Sequence, residues 1–266
     1  GVACAVNIGL DLLFVAAFHW GIGGAAGATV TAQLVSCLYC AYRFRKLSLL
    51  KFSKEDWRLD RPLLKKLFSL GSPLAVQNMV IHIGGMVLQS IINTYGVAFL
   101  AGFTATNKLY GALELAAIAF GYSIATYTGQ NMGAEKIKRI KKGIRAATVL
   151  AIATSLAITA LALIFSRPLT SLFINAGSEN AQEALQVAMS YLAVLAVFLP
   201  ILYLLNIYRS ALQGLGDTIT PFLSGMMELA MRLACAFTLP MFLGGEGLFL
   251  AEPAAWLGAI ILLVPV

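Results

Sequence analysis

Eight runs of mostly apolar residues follow one another along this chain, at about 1–18, 22–44, 67–94, 98–129, 141–166, 183–211, 218–243 and 247–266. Each is close to or above the roughly 20 residues a helix needs to cross the hydrocarbon core of a bilayer. Lipid offers no partner for an open backbone group, so only helices or a closed barrel can span it. The runs lack the two-residue alternation of barrel strands. The expectation is an all-α polytopic membrane protein with about eight transmembrane helices. Composition agrees: 59% of the residues are hydrophobic and 12% charged, far from the usual balance of a soluble domain.

The basic residues are sorted between alternate connections. Nine of the 19 lie between Arg43 and Lys66, and six more between Lys136 and Arg145. The connections at 19–24, 94–98, 167–183 and 243–248 hold one, Arg167, beside the acids Glu179, Glu183 and Glu246. The positive-inside rule then puts 43–66, 135–145 and the Arg209 region in the cytoplasm and the others outside. It also accounts for the net charge of +7 without a nucleic-acid partner. The expected partners are a small-molecule substrate and membrane lipid. Residues 46–66 alternate charge with Leu, Phe and Trp, which suits an amphipathic linker on the inner membrane face. A plain solvated loop fits them equally well. This linker separates the first pair of spans, 1–45, from the next six, 67–266. Cys37 and Cys40 form a CxxC, but they sit among Leu38, Tyr39 and Ala41 with no second ligand pair, and read as small apolar helix residues. The chain opens at Gly1 inside an apolar run and stops inside another, as an internal piece of a longer protein would.

Ionisable side chains within spans are costly and are functional candidates by default. The sequence reading counts six: Asp11, Lys108, Glu114, Arg209, Glu228 and Arg232. Glu228 and Arg232 are four apart and can pair along one helix face. Glu114 has no partner at helical spacing, and Thr104, Thr106, Asn107 and Lys108 precede it as further cavity candidates; Lys108 could instead snorkel to the outer interface. Gln77, Asn78, Gln89 and Asn93 share one broad face, which suits a polar cavity lining or interhelical hydrogen bonds. His82 reads as a hydrogen-bonded structural residue before a proton carrier. A faint repeat at a constant offset of 221 sets Asn7 on Glu228, Asp11 on Arg232 and Gly23-Gly24 on Gly244-Gly245, as in transporters built from two related bundles.

Catalytic constellations are missing. There is no phosphate-binding glycine loop, no zinc-protease motif and no nucleophile elbow, and two histidines cannot make a clustered metal site. The expectation is no enzyme, no cofactor and no metal, with any pumping driven by an ion gradient.

Several motifs carry a family resemblance. They are Asn7-Ile8-Gly9-Leu10-Asp11, Gly71-Ser72-Pro73-Leu74-Ala75 and Thr104-Ala105-Thr106-Asn107-Lys108-Leu109. With them go Gly129-Gln130-Asn131-Met132-Gly133-Ala134 with its basic tail, and Ala211-Leu212-Gln213-Gly214-Leu215-Gly216-Asp217-Thr218. In this order and spacing the chain resembles the multidrug and toxic compound extrusion (MATE) transporters over essentially all its length. The resemblance implies twelve helices in two six-helix lobes, of which this chain is similar to helices five to twelve. It implies a secondary active antiporter of a bacterial cytoplasmic membrane, working as a monomer with the missing N-terminal helices. Such a protein exports small amphipathic or cationic compounds in exchange for Na⁺ or H⁺ by alternating access. One branch carries a Glu eight residues after the proline of its Gly-x-Pro; here that residue is Ile81. The same branch has an Asp within its tenth helix, where this chain reads Leu199-Pro200-Ile201-Leu202-Tyr203. The wording around Glu114, Arg209, Glu228 and Arg232 is more similar to a Firmicutes-type branch.

The ion-coupling or substrate candidates are thus Glu114, Glu228, Arg232, Lys108, Asp11, Asn107, Gln77 and Asn78, with Glu114 as the coupling carboxylate. Two rival functions remain. A lipid-linked oligosaccharide flippase of the same superfamily would call for a wide cationic cavity, against the near balance of Lys108, Arg209 and Arg232 with Asp11, Glu114 and Glu228. A membrane scaffold or receptor gains nothing from buried acids.

Overall fold

The computed structural model describes residues 2–46, 58–174, 177 and 180–263. Most of the expected amphipathic linker, residues 47–57, lies outside the described residues. Among those described, the chain is helical throughout, and it divides into two compact units, Gly1–Arg61 and Pro62–Val266.

The first unit is a helical hairpin. α1 (Val2–Asp11) continues as a π-helical segment, Leu12–Ala17, and α2 spans Gly21–Arg45. The turn between them is made at His19 and Gly21, both at positive φ, two to five residues before the Gly23-Gly24 pair that the repeat pointed to. Gly24 has a different task. It is buried where the Trp20 side chain and the Phe14 carbonyl close on α2.

The second unit holds α3 (Arg61–Ile92), α4 (Val97–Gly133), α5 (Ile137–Ile164), the short α6 (Ser166–Ser171), α7 (Ala181–Gly214), α8 (Ile219–Thr238), α9 (Pro240–Leu243) and α10 (Ala251–Ile261). Six helical stretches are long and apolar enough to cross a membrane. The other two expected spans are accounted for by the shorter Val2–Ala17 and by a break in the stretch Ile219–Ile261. That break is a 3₁₀ segment, Gly244–Leu250, entered through Gly244 at φ 61°. α3 begins at Arg61, inside the expected 46–66 linker, because Pro62 sits in its first turn, where a missing N–H costs nothing.

α4 and α7 form the spine of this unit. Their approach rests on small residues, as lipid-embedded packing requires. A Cβ on Gly214 would collide with the Ala125 carbonyl and the Thr128 hydroxyl of α4, so only glycine fits there. Thr106 donates across the same seam to the Ala188 carbonyl at 2.9 Å, and Tyr203 to the Leu113 carbonyl at 2.9 Å. Aromatic rings fill the gap toward the outer end: Phe103 stacks on Tyr191 at 4.3 Å, and Tyr191 on Phe249 at 5.1 Å. Pro200 interrupts α7. Its missing N–H leaves the Ala196 carbonyl without a helical donor, and the Thr159 hydroxyl of α5 supplies one at 2.6 Å.

The two loop motifs end their helices in the same way. After α7, the Gly216 N–H bonds Gln213 and the Asp217 N–H bonds Leu212, with Gly216 at φ 88°. After α4, the Glu135 N–H bonds Met132 and the Lys136 N–H bonds Asn131. Both are the six-to-one, five-to-two pattern that closes a helix through a left-handed residue. In the second case that residue is Glu135 at φ 57°, not a glycine. The glycines of Gly129–Ala134 therefore do not make the turn. Gly129 lies inside α4, and its bare Cα lets the Gly214 carbonyl approach.

Candidate functional site

A cavity of about 760 Å³ opens among α3, α4, α7, α8 and α10. Each helix contributes polar side chains from one face: Asn78, His82 and Gln89 from α3, Tyr110 and Glu114 from α4, and Asn206 and Arg209 from α7. α8 adds Glu228 and Arg232, and α10 adds Glu252 and Trp256.

Four of these charges form a continuous chain. Arg209 Nη2 donates to Glu228 Oε2 at 2.7 Å, Arg232 Nη2 to Glu228 Oε1 at 3.0 Å, and Arg232 Nη2 to Glu252 Oε2 at 2.7 Å. The expected Glu228–Arg232 pair therefore exists, but as the middle of a longer row. Glu228 is 4% and Arg232 3% exposed, and burial at that level is tolerable only because each meets an opposite charge. Ser224 extends the row: its Oγ accepts from Arg209 at 3.1 Å and donates to the Ala259 carbonyl at 3.1 Å. α3 makes room for Arg232 at Gly84, where a Cβ would meet Nη1, and gives that nitrogen the Ile81 carbonyl at 3.0 Å.

Glu114 stands apart from the row. It lines the cavity and makes no salt bridge among the described residues. Tyr110, one turn earlier on α4, is its neighbour, and the Tyr110 ring stacks on Trp256 at 5.8 Å. Three carboxylates and two guanidiniums face this space, which leaves a formal surplus of one negative charge with His82 neutral.

Of the other candidates, only Asn78 reaches the cavity, while its amide donates to the Leu74 carbonyl at 3.0 Å. Gln77 is buried against Gly225 of α8 and serves helix packing. Asn107 accepts from the Tyr191 hydroxyl at 3.5 Å, and Lys108 is exposed with its ammonium 5.9 Å from the Phe173 ring. The polar run before Glu114 therefore does not join it: Asn107, seven residues earlier, shares its helix face but lies two turns, about 10 Å, away, Thr106 bonds α7 and Lys108 is exposed. Asp11 belongs to the first unit, at the junction of α1 with the π segment, and its Oδ1 is buried without a partner.

Glu252 was overlooked in the sequence, where Asp11, Glu114 and Glu228 were the acids counted within spans. The signal was present: a carboxylate five residues into the last apolar run, with Pro253 after it.

Helices of this length and apolarity define a polytopic membrane protein, here with a row of paired charges facing an internal cavity. Residues 73–238 match the family described as MatE. The chain belongs to the MATE family. It is 35% identical to the probable multidrug resistance protein YpnP of Bacillus subtilis (strain 168) over 141 residues, 52% of this chain and 31% of that protein. It is 24% identical to the probable multidrug resistance protein YoeA of the same organism over 98% of this chain and 58% of YoeA. A solved structure of a MOP superfamily transporter from Pyrococcus furiosus superposes with a TM-score of 0.91 at 22% identity, covering 99% of this chain and 59% of that one. The matches thus span between 31% and 59% of the length of these relatives.

Proposed function

We infer that the protein carrying this chain is a secondary active antiporter. It exports small amphipathic or cationic compounds across a bacterial cytoplasmic membrane in exchange for Na⁺ or H⁺, by alternating access. The observation that carries this reading is Glu114. It is the one acid of the cavity without a guanidinium partner, in a space with a surplus of negative charge. An antiporter needs a site whose charge is neutralised in turn by ion and by substrate. A carboxylate without a salt bridge can do this, whereas Glu228 and Glu252 are each bonded to a guanidinium. The Tyr110 ring beside it lines the same space and can contribute to holding an organic cation. Membership of the family supports the same class of activity. The charge surplus speaks against a flippase, which would call for a cationic cavity, and nothing in the site calls for enzyme chemistry.

The test is export of ethidium from cells lacking other efflux pumps, with Na⁺ and pH gradients imposed separately on the full-length protein. One gradient should drive export, and Glu114→Gln should abolish it while protein level and membrane insertion stay unchanged. Full export by a well-expressed Glu114→Gln protein overturns the assignment of Glu114. Absence of gradient-driven export by the unaltered protein, for ethidium and a panel of amphipathic compounds, overturns the antiport reading.

A further inference from the structure

A second cavity, of about 520 Å³, lies between α4 and α5 and plays no part in the charged site. Phe120 and Tyr127 of α4 and Gly143, Ala146, Ala147 and Leu150 of α5 wall it, and Lys142 stands at one end. The arrangement has a direction. α4 runs down to its turn at Gly133 and α5 starts again at Ile137, so Tyr127 and Lys142 are near the basic connection and Phe120 and Leu150 are deeper. From Lys142 to Leu150 is eight residues, about 12 Å along a helix. The groove is therefore basic at its cytoplasmic mouth and apolar along its floor.

The face of α5 that lines it continues outward. Positions 142, 143, 146, 147 and 150 fall on one stripe, and three and four residues before Lys142 the same stripe carries Arg139 and Lys138. All three cations are exposed, and none has a salt bridge among the described residues. The wall is fixed as well. The Tyr127 hydroxyl donates to the Arg139 carbonyl at 3.1 Å, and its ring lies so close to α5 that a Cβ at Gly143 would collide with it.

We propose that this groove is a selective site for an anionic phospholipid of the cytoplasmic leaflet. Its phosphate sits at Lys142 with Arg139 and Lys138, and one acyl chain lies along Ala146, Ala147 and Leu150 toward Phe120. Charge complementarity selects the occupant. A lipid with net negative charge neutralises three unpaired cations, whereas a zwitterionic one adds an ammonium among them. A free phosphate would leave the apolar floor empty.

The experiment uses the full-length protein reconstituted in vesicles of equal phosphatidylglycerol and phosphatidylethanolamine, then extracted and weighed by native mass spectrometry with its retained lipids. Phosphatidylglycerol should be enriched among them. Lys142→Gln should lower that enrichment about fivefold, the usual worth of one cation at an anionic membrane surface. Ala146→Trp, at an exposed position on the groove, should lower it with no change of charge. Lys141→Gln removes the same charge one residue off the stripe and should leave it intact. Equal retention of the two lipids overturns the site. So does indifference to both Lys142→Gln and Ala146→Trp, and so does an equal fall with Lys141→Gln, which would assign the preference to loop charge in bulk.

Discussion

Removing Arg232 tests how the buried charges divide their work. In Arg232→Met the guanidinium bonds to Glu228 at 3.0 Å, to Glu252 at 2.7 Å and to the Ile81 carbonyl at 3.0 Å all disappear. The two acids are not left alike. Glu228 keeps Arg209 at 2.7 Å, whereas Glu252 keeps no cation among the described residues. Charge centres about 4 Å apart attract by about 4 kcal/mol at an effective dielectric near 20, and orphaning one member of a buried pair typically costs about 3–5 kcal/mol. Arg232→Met should therefore destabilise by about 3–5 kcal/mol, most of it through Glu252. Adding Glu252→Gln should recover more than half, because it removes the orphan. Adding Glu228→Gln instead should recover little, since it orphans Arg209 in turn. The assay is the midpoint of heat-induced loss of monodisperse protein in detergent, for Arg232→Met and the two double variants. The reasoning is refuted if Glu228→Gln rescues Arg232→Met better than Glu252→Gln does, or if neither rescues it.

Other consequences are as direct. Thr159→Val should cost about 1 kcal/mol by orphaning the Ala196 carbonyl, and should cost almost nothing in a Pro200→Ala background, where an N–H is restored to α7; the same thermal assay reads both. Glu135→Gly should stabilise by about 1 kcal/mol, because Glu135 holds a left-handed conformation that glycine adopts freely; a loss of stability would refute this. Asp217 caps α8. Burial alone would raise its pKa, but bonds from the Thr220 hydroxyl and N–H and the Ile219 N–H outweigh it and hold the carboxyl below its ordinary value. Its contribution is then full above about pH 4 and is lost as pH falls through the depressed folded value, so Asp217→Ala should cost about 1 kcal/mol at pH 7 and progressively less in acid. Finally, with the native cysteines replaced, an impermeant thiol reagent applied to intact cells should label Asn180→Cys and not Lys136→Cys; the reverse would invert the topology.

What was legible in the sequence follows from which physical constraint writes the signal. Spans are written by lipid, which demands a continuous apolar run, so the helices could be read with errors only where a run is short or broken. The break at Gly244 is marked by its glycines, and the first connection falls within the expected 19–24, but that His19 makes the turn and not the Gly23-Gly24 pair leaves no compositional trace. The Glu228–Arg232 pair was legible because both ends lie on one helix. Its continuation to Arg209 and Glu252 was not, since those bonds join three helices and no local spacing encodes them. The run Thr104–Lys108 was misread for the converse reason. Polarity near Glu114 in sequence is not proximity in space, and Thr106 and Asn107 spend their hydrogen bonds on α7.

The paired row also constrains how the proposed antiport could run. Were Glu228 to take up the coupling ion, Arg209 would lose its acidic partner, and were Glu252 to do so, Arg209 and Arg232 would be left to share Glu228; either way one buried positive charge is uncompensated, a penalty of the same order as that for deleting the acid. Each transport cycle would then pass through a state several kcal/mol above rest. Glu114 carries no such debt, because no cation is waiting on it. Ion and substrate can compete for Glu114 while Arg209, Glu228, Arg232 and Glu252 stay locked and tie α7, α8 and α10 together. On this argument the pH or Na⁺ dependence of export should follow Glu114 alone. Glu252→Gln should lower stability yet leave the shape of that dependence unchanged in the protein that survives. A dependence displaced by Glu252→Gln as far as by a change at Glu114 would mean that the row itself carries the ion.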